Sequence, residues 1–235
     1  MMFGLFKGKK VQEEERPVLK IIAKYEENGD PLGTTHAFVK EFIGPCPERY
    51  DMTYRYEHSL RVAAWGKRIA EGEGWNPEPL QMACLLHDVG YPECKSLEDF
   101  DHHPAFSADV AALFLKKIGY DEQLTESICK AIAIHDKWND VPADATPFEL
   151  SVRDADDLDR FDAMRICMLG RSDIGEKNTE ELLELCAKRL DEVTSARKRI
   201  CGTATAEGFW QEKCDMRQRF YEELRTQLEG TFKGL

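Results

Sequence analysis

The chain has 235 residues, 42% hydrophobic and 32% charged, which supplies one sizeable core beneath a well-solvated surface. Its net charge of −12 leaves no basic footprint for a nucleic acid. Its eight cysteines include no C-x-x-C pair, so neither a zinc ribbon nor a thioredoxin motif is present, and reduced thiols in a cytoplasmic protein are expected.

At the N-terminus, Phe3, Leu5 and Phe6 precede a lysine cluster. The run is too short for a signal peptide or a membrane span and reads as a tail or a small docking segment. Residues from about 11 to 27 carry sparse apolar positions (Val18, Ile21, Ile22, Tyr25), which predicts a peripheral helix broken at Asn28-Gly29-Asp30-Pro31. Thr35 to Ile43 predicts a short helix ended by Gly44-Pro45-Cys46-Pro47, with His36 as a structural or surface histidine. Thr53 to Glu71 is a stronger helix, with His58, Val62, Trp65 and Ile69 along one face. Gly72 and Gly74 end it, and Asn76-Pro77 starts another as cap and first-turn proline.

That next helix aligns Leu80, Ala83, Cys84 and His87, and Asp88 follows at once. Gly90 is expected to end it in the left-handed conformation. Lys95 lies in the loop or short helix that follows. Asp101-His102-His103-Pro104 opens a helix to about Lys117, with His103, Ser107, Val110 and Phe114 on one face and Gly119 as its stop. Asp121 to Lys137 is another, with Leu124, Ile128, Ala131, Ile132 and His135 facing inward. Thr146-Pro147-Phe148-Glu149 combines a capping box with a first-turn proline and launches a helix that carries Val152, Asp156 and Asp159. The pattern continues from Phe161 to Leu169. From about 177, Leu182, Cys186, Leu190 and Val193 mark one amphipathic helix. After Gly202, Trp210, Cys214, Arg217, Tyr221, Leu224 and Leu228 mark a second at near-heptad spacing. This pair is expected to pack on the main bundle, with a homodimer contact as the other use. No stretch alternates like a strand, so the expected class is all-α.

Five helices thus each bring a potential ligand to an apolar face: His58, His87 with Asp88, His103, His135 and Asp156. Imidazole and carboxylate groups are costly to bury unpaired. A bound metal ion resolves that cost, and helical bundles assemble metal sites from facing helices in this manner. Mixed imidazole and carboxylate ligation suits Mn, Fe, Co, Ni or Zn. Four ligands suffice for one ion, so His103 and His135 imply a second ion, with Asp88 as the bridging carboxylate. The other reading makes these two histidines donors to substrate or to the ligands.

The order of these residues resembles the HD-domain superfamily of metal-dependent phosphohydrolases, an all-α family whose ligands are a His, a His-Asp pair and a distal Asp. His58 in Tyr56-Glu57-His58-Ser59-Leu60-Arg61 is similar to the first, His87-Asp88 to the pair, and Asp156 in Arg153-Asp154-Ala155-Asp156-Asp157-Leu158-Asp159 to the last. The resemblance spans roughly residues 50 to 170. It divides the chain into an N-terminal tail with peripheral helices (1–49), an HD metal-binding bundle (50–175) and a C-terminal helical extension (176–235). It implies hydrolysis of a nucleotide or another small phosphoester by a metal-activated water, with Asp88 as the catalytic carboxylate. Lys95, Arg61 and Arg160 are the candidate contacts to the substrate phosphate, and Asp157 stands where relatives often carry a basic residue. Two other functions fit the same ligands: a di-iron oxygenase of related type, and a nucleotide- or metal-sensing module without turnover.

Overall fold

The computed structural model describes residues 16–44, 52–96, 98–137, 141–174 and 177–233. The tail at 1–10 and the stop at Pro45-Cys46-Pro47 lie outside the described residues. Among the described residues the protein is helical without strands: α1 (Pro17–Ile22), α2 (Pro31–Ile43), α3 (Met52–Glu73), α4 (Pro77–Leu86), α5 (His103–Lys117), α6 (Glu122–Ile134), α7 (Pro147–Phe161), α8 (Ala163–Ile174), α9 (Thr179–Ala196) and α10 (Ala204–Lys233). Short 3-10 turns at Tyr91–Glu93 and Glu98–His102 connect α4 to α5. None of these helices is long and apolar enough to cross a membrane.

The starts of the helices follow local chemistry. Asp30, Asn76 and Asp121 each accept a backbone N–H of the turn they open, and a proline occupies the first turn of α2 and α4. Thr146 with Glu149, and Asn178 with Glu181, form full capping boxes at α7 and α9. Gly74 and Gly119 take φ of 72° and 67° just past α3 and α5, a conformation open to glycine without a Cβ penalty.

Two expectations change. The N-terminal helix is only the six residues of α1 among those described, because the flanking sequence offers few apolar positions to bury. The pattern from Phe161 onward does not continue one helix: Asp162 is extended, with ψ of 174°, and α8 starts afresh at Ala163.

α3 packs along α4 and α7, while α4 also meets α2 and α6, so α3, α4, α6 and α7 surround a common interior. At its edge, Phe38 of α2 stacks on Phe114 of α5 with centroids 4.2 Å apart, and Tyr25 meets both rings edge-on at 5.8 Å. Such pairs contribute about 0.5–1.5 kcal/mol each beyond area burial. α9 and α10 pack on each other, and α10 continues onto α7 and α3. Trp210, Cys214, Arg217 and Tyr221 are buried within the chain, so the inner stripe of α10 serves intramolecular packing. The Trp210 indole N–H donates to the Ala196 carbonyl at 2.8 Å, closing the α9–α10 hairpin. Seven cysteines are free thiols, and Cys46 lies outside the described residues.

Candidate metal centre

α3 carries His58 in mid-helix, on the stripe that continues through buried Val62, Trp65 and Ile69. His87 is the residue that closes α4, and Asp88 begins the turn beyond it. His103 is the first residue of α5, His135 closes α6, and Asp156 lies on the buried side of α7. All six are at most 2% exposed.

The imidazoles are oriented by the backbone. The Nδ1 atoms of His87, His103 and His135 lie 2.7, 2.6 and 2.7 Å from the carbonyls of Cys84, Phe100 and Ile132, each three residues earlier. A carbonyl only accepts, so each Nδ1 carries the proton and each Nε2 presents a lone pair. His58 Nδ1 lies 2.7 Å from Asp159 Oδ2, which fixes the same tautomer. The rings then meet nearly at right angles, His58 to His87 at 5.2 Å and His87 to His135 and His135 to His103 at 5.0 Å each.

The Nε2 atoms converge on two carboxylates. His58 Nε2 is 2.9 Å from Asp156 Oδ1, and His87 Nε2 is 3.8 Å from the same oxygen and 3.5 Å from Asp88 Oδ2. Asp88 Oδ1 faces the other way, 3.4 Å from His103 Nε2 and 3.6 Å from His135 Nε2. His103 and His135 bring their Nε2 atoms within 3.2 Å of each other, where two lone pairs repel unless a cation is nearby. His87 Nε2 and Asp88 Oδ1 are buried without a hydrogen-bond partner among the described residues. Bound cations satisfy such a set, and three groupings have ligand atoms within 4.8 Å of one another: His58, His87 and Asp88; His87, His135 and Asp156; Asp88, His103 and His135. The residues present therefore fit divalent transition metal ions.

Residues 55–164 match the HD domain family. That segment is similar to an HD domain. Its fold is also that of a crystal structure of a predicted HD superfamily hydrolase from an uncultured Thermotogales bacterium, with a TM-score of 0.59 at 18% identity over 89% of this chain and 98% of that one. No curated protein matches this chain.

Within the matched segment each carboxylate of the centre has its own arginine. Arg55 reaches Asp88 Oδ2 at 2.9 Å, Arg160 reaches Asp156 Oδ1 at 3.1 Å, and Arg61 grips both oxygens of Asp159 at 2.7 and 3.2 Å. Arg61, expected to face a substrate phosphate, is thus committed to the carboxylate that holds His58. Arg160 stands at the edge of the centre, with Asp136 as a second partner at 3.5 Å. Lys95 is exposed, and its backbone N–H donates to Asp99 at 2.7 Å. His102 is exposed while its neighbour His103 is buried. His36 is exposed and bonded to the Tyr56 hydroxyl at 2.8 Å, as expected of a surface histidine.

Three groups escaped the sequence reading. Asp159 orients His58, Arg55 pairs with Asp88, and Tyr91 lies between the Arg55 guanidinium at 3.3 Å and the His103 ring at 4.3 Å. A signal existed for the first two, since Asp159 sits three residues after Asp156 and Arg55 three before His58, each on a shared helix face. Gly90 is right-handed, with φ of −80°, contrary to the left-handed stop expected. Its glycine is required by contact, because an added Cβ would lie 2.3 Å from the Ser107 backbone nitrogen.

The protonation states oppose one another. Burial holds His87 down to about 4, so it is neutral and ready as a ligand. For His58, burial acts against the charge but is outweighed by Asp156 and Asp159, and its pKa rises from 6.5 to about 9. Without metal, the stabilisation from charged His58 is complete below pH 6.5 and lost as pH rises through about 9. A metal must displace that proton, so its uptake has the opposite slope. Equilibrium metal titration of chelator-stripped protein is expected to show affinity rising with pH up to about 9, then levelling.

Proposed function

We propose that the protein is a metal-dependent hydrolase acting on a nucleotide or another small phosphoester. The observation that carries this reading is charge matching around convergent lone pairs. Asp88, Asp156 and Asp159 are each already paired with a guanidinium. Any dication held by the histidines and carboxylates therefore leaves the centre with excess positive charge, which favours an anionic substrate. When bound, a divalent ion would lower the pKa of a coordinated water and polarise a phosphoryl oxygen.

The chain's own residues supply the rest. Asp88, fully buried and in contact with His87, His103 and His135, is the carboxylate proposed to orient the attacking water. Asp159 and the three backbone carbonyls keep the Nε2 lone pairs aimed inward. Arg160, at the rim, and Lys95, on the exposed turn, are the cations proposed for the phosphate. Arg61 acts through Asp159 and His58. The hydrolase reading is consistent with the fold shared with the predicted HD superfamily hydrolase of the Thermotogales bacterium. The test is phosphate release from a panel of nucleotides and phosphodiesters by metal-loaded protein, with unchanged rates when oxygen is excluded. Turnover that needs oxygen would select a di-iron oxygenase, and silence across the panel would sink the hydrolase reading.

We further propose two ions. Asp88 turns Oδ2 toward His87 and Oδ1 toward His103 and His135, the disposition of a carboxylate shared by neighbouring cations. His103→Ala and His135→Ala are each expected to lose about one ion per chain by elemental analysis. Wild-type stoichiometry in both variants would make the site mononuclear.

A further inference from the structure

Outside the metal centre, a cavity of about 550 Å³ opens where α7 meets the turn between α9 and α10. None of the six candidate ligands lines it. Its charged wall consists of Arg153, Arg160, Lys198 and Arg199 against the single carboxylate of Asp157. Arg153, Arg160 and Arg199 are held in place by Asp154, Asp156 and Asp157, while Lys198 is exposed. Asp157 is itself matched by Arg199 in an ion pair.

The wall is built into the fold. Asp154 accepts from Arg199 at 2.7 Å, from the Gly202 backbone N–H at 2.6 Å and from Arg153 at 3.3 Å, which fastens the α9–α10 turn to α7. Arg153 is 9% exposed, and its Nε has no hydrogen-bond partner among the described residues. A buried N–H of a permanent cation without an acceptor is costly, and Arg153 is among the residues that line the cavity. The lining also has an apolar part, with the Arg199 guanidinium 4.8 Å above the Trp210 ring. Phe161 and Trp210 lie with centroids 4.7 Å apart, and Ile200 projects at the rim with 83% exposure. The volume falls within the range of small-molecule sites.

We propose that this cavity is a second ligand site, separate from the metal centre, for a small molecule that joins a phosphate to a planar or apolar body, as a nucleoside monophosphate does. The phosphate meets Arg153 and Lys198, and the planar body lies toward Phe161 and Ile200. Arg160 belongs to both sites, since its Nε also contacts Asp156 at 3.1 Å.

The test is calorimetric titration of the full chain with AMP, adenosine and inorganic phosphate. AMP is expected to bind more tightly than either fragment, and to keep one binding event in His58→Ala and in Asp88→Asn, whose changes lie in the metal centre. Lys198→Glu and Ile200→Asp alter exposed side chains that the fold does not need. Each is expected to weaken that event by about tenfold or more. Binding lost in His58→Ala and Asp88→Asn but unchanged in Lys198→Glu would place the ligand at the metal centre and overturn the proposal. Absence of AMP binding would overturn it as well. Phosphate binding as tightly as AMP would refute the assigned ligand class.

Discussion

Asp88→Asn is expected to lose bound metal and to lower turnover by more than about a hundredfold, since changes one shell further out already cost 10–100-fold in affinity or activity. Asp88 is the fully buried group in contact with both sets of histidines, His87 on one oxygen and His103 with His135 on the other. Its charge is stable: burial disfavours it, but His87, His103, His135 and Arg55 together hold its pKa well below the usual carboxylate range. Asparagine keeps the shape and can still accept from Arg55, so the helical content measured by circular dichroism should hold. What it removes is the charge of a ligand and the carboxylate oxygen that faces the second histidine pair. A variant with wild-type metal content and wild-type phosphate release would refute the central role given to this residue.

Gly90→Ala is expected to have the largest effect on stability. The added Cβ would sit 2.3 Å from the Ser107 nitrogen and 2.6 Å from the Phe106 carbonyl carbon, both backbone atoms of α5. Backbone cannot rotate aside as a side-chain tip does, so α5 must shift, and His103 at its first residue shifts with it. The same movement strains the 2.8 Å bond from the Gly90 N–H to the Ser107 hydroxyl. Overpacking of this kind costs about 1–3 kcal/mol, or more when backbone is displaced. In a chain of this size that lowers Tm by roughly 2–4 °C per kcal/mol. Gly208→Ala is the control: it lies in α10, and its Cβ would meet nothing within 4 Å. Its Tm should stay level or rise, because alanine favours helix over glycine by up to about 1 kcal/mol. Equal melting of Gly90→Ala and the wild type would mean that α4 and α5 do not approach this closely.

Gly90 also marks where sequence reasoning reaches its limit. A glycine after an apolar helical run suggests a left-handed stop, because that is the local use of glycine at helix ends. The actual constraint comes from Ser107, 17 residues away, and no local pattern encodes an approach by another helix. Arg61 misled in a similar way. Its place one turn after His58 was legible, but a long side chain can send its guanidinium in several directions, and the position of Asp159 on α7 decided which.

The sequence by itself determined the all-α class, the capped starts of α4 and α7, and the six buried donors His58, His87, Asp88, His103, His135 and Asp156. Each of these depends on spacing within one helix, and a period of 3.6 residues fixes the side of the helix on which a residue stands. Only the tertiary structure decided which donors meet, that Asp159 and Arg55 complete the centre, and that α7 and the α9–α10 turn enclose a cationic cavity. The physical reason is that periodicity sets the direction of a side chain about its own axis. The partner it finds there depends on how helices far apart in sequence pack against one another.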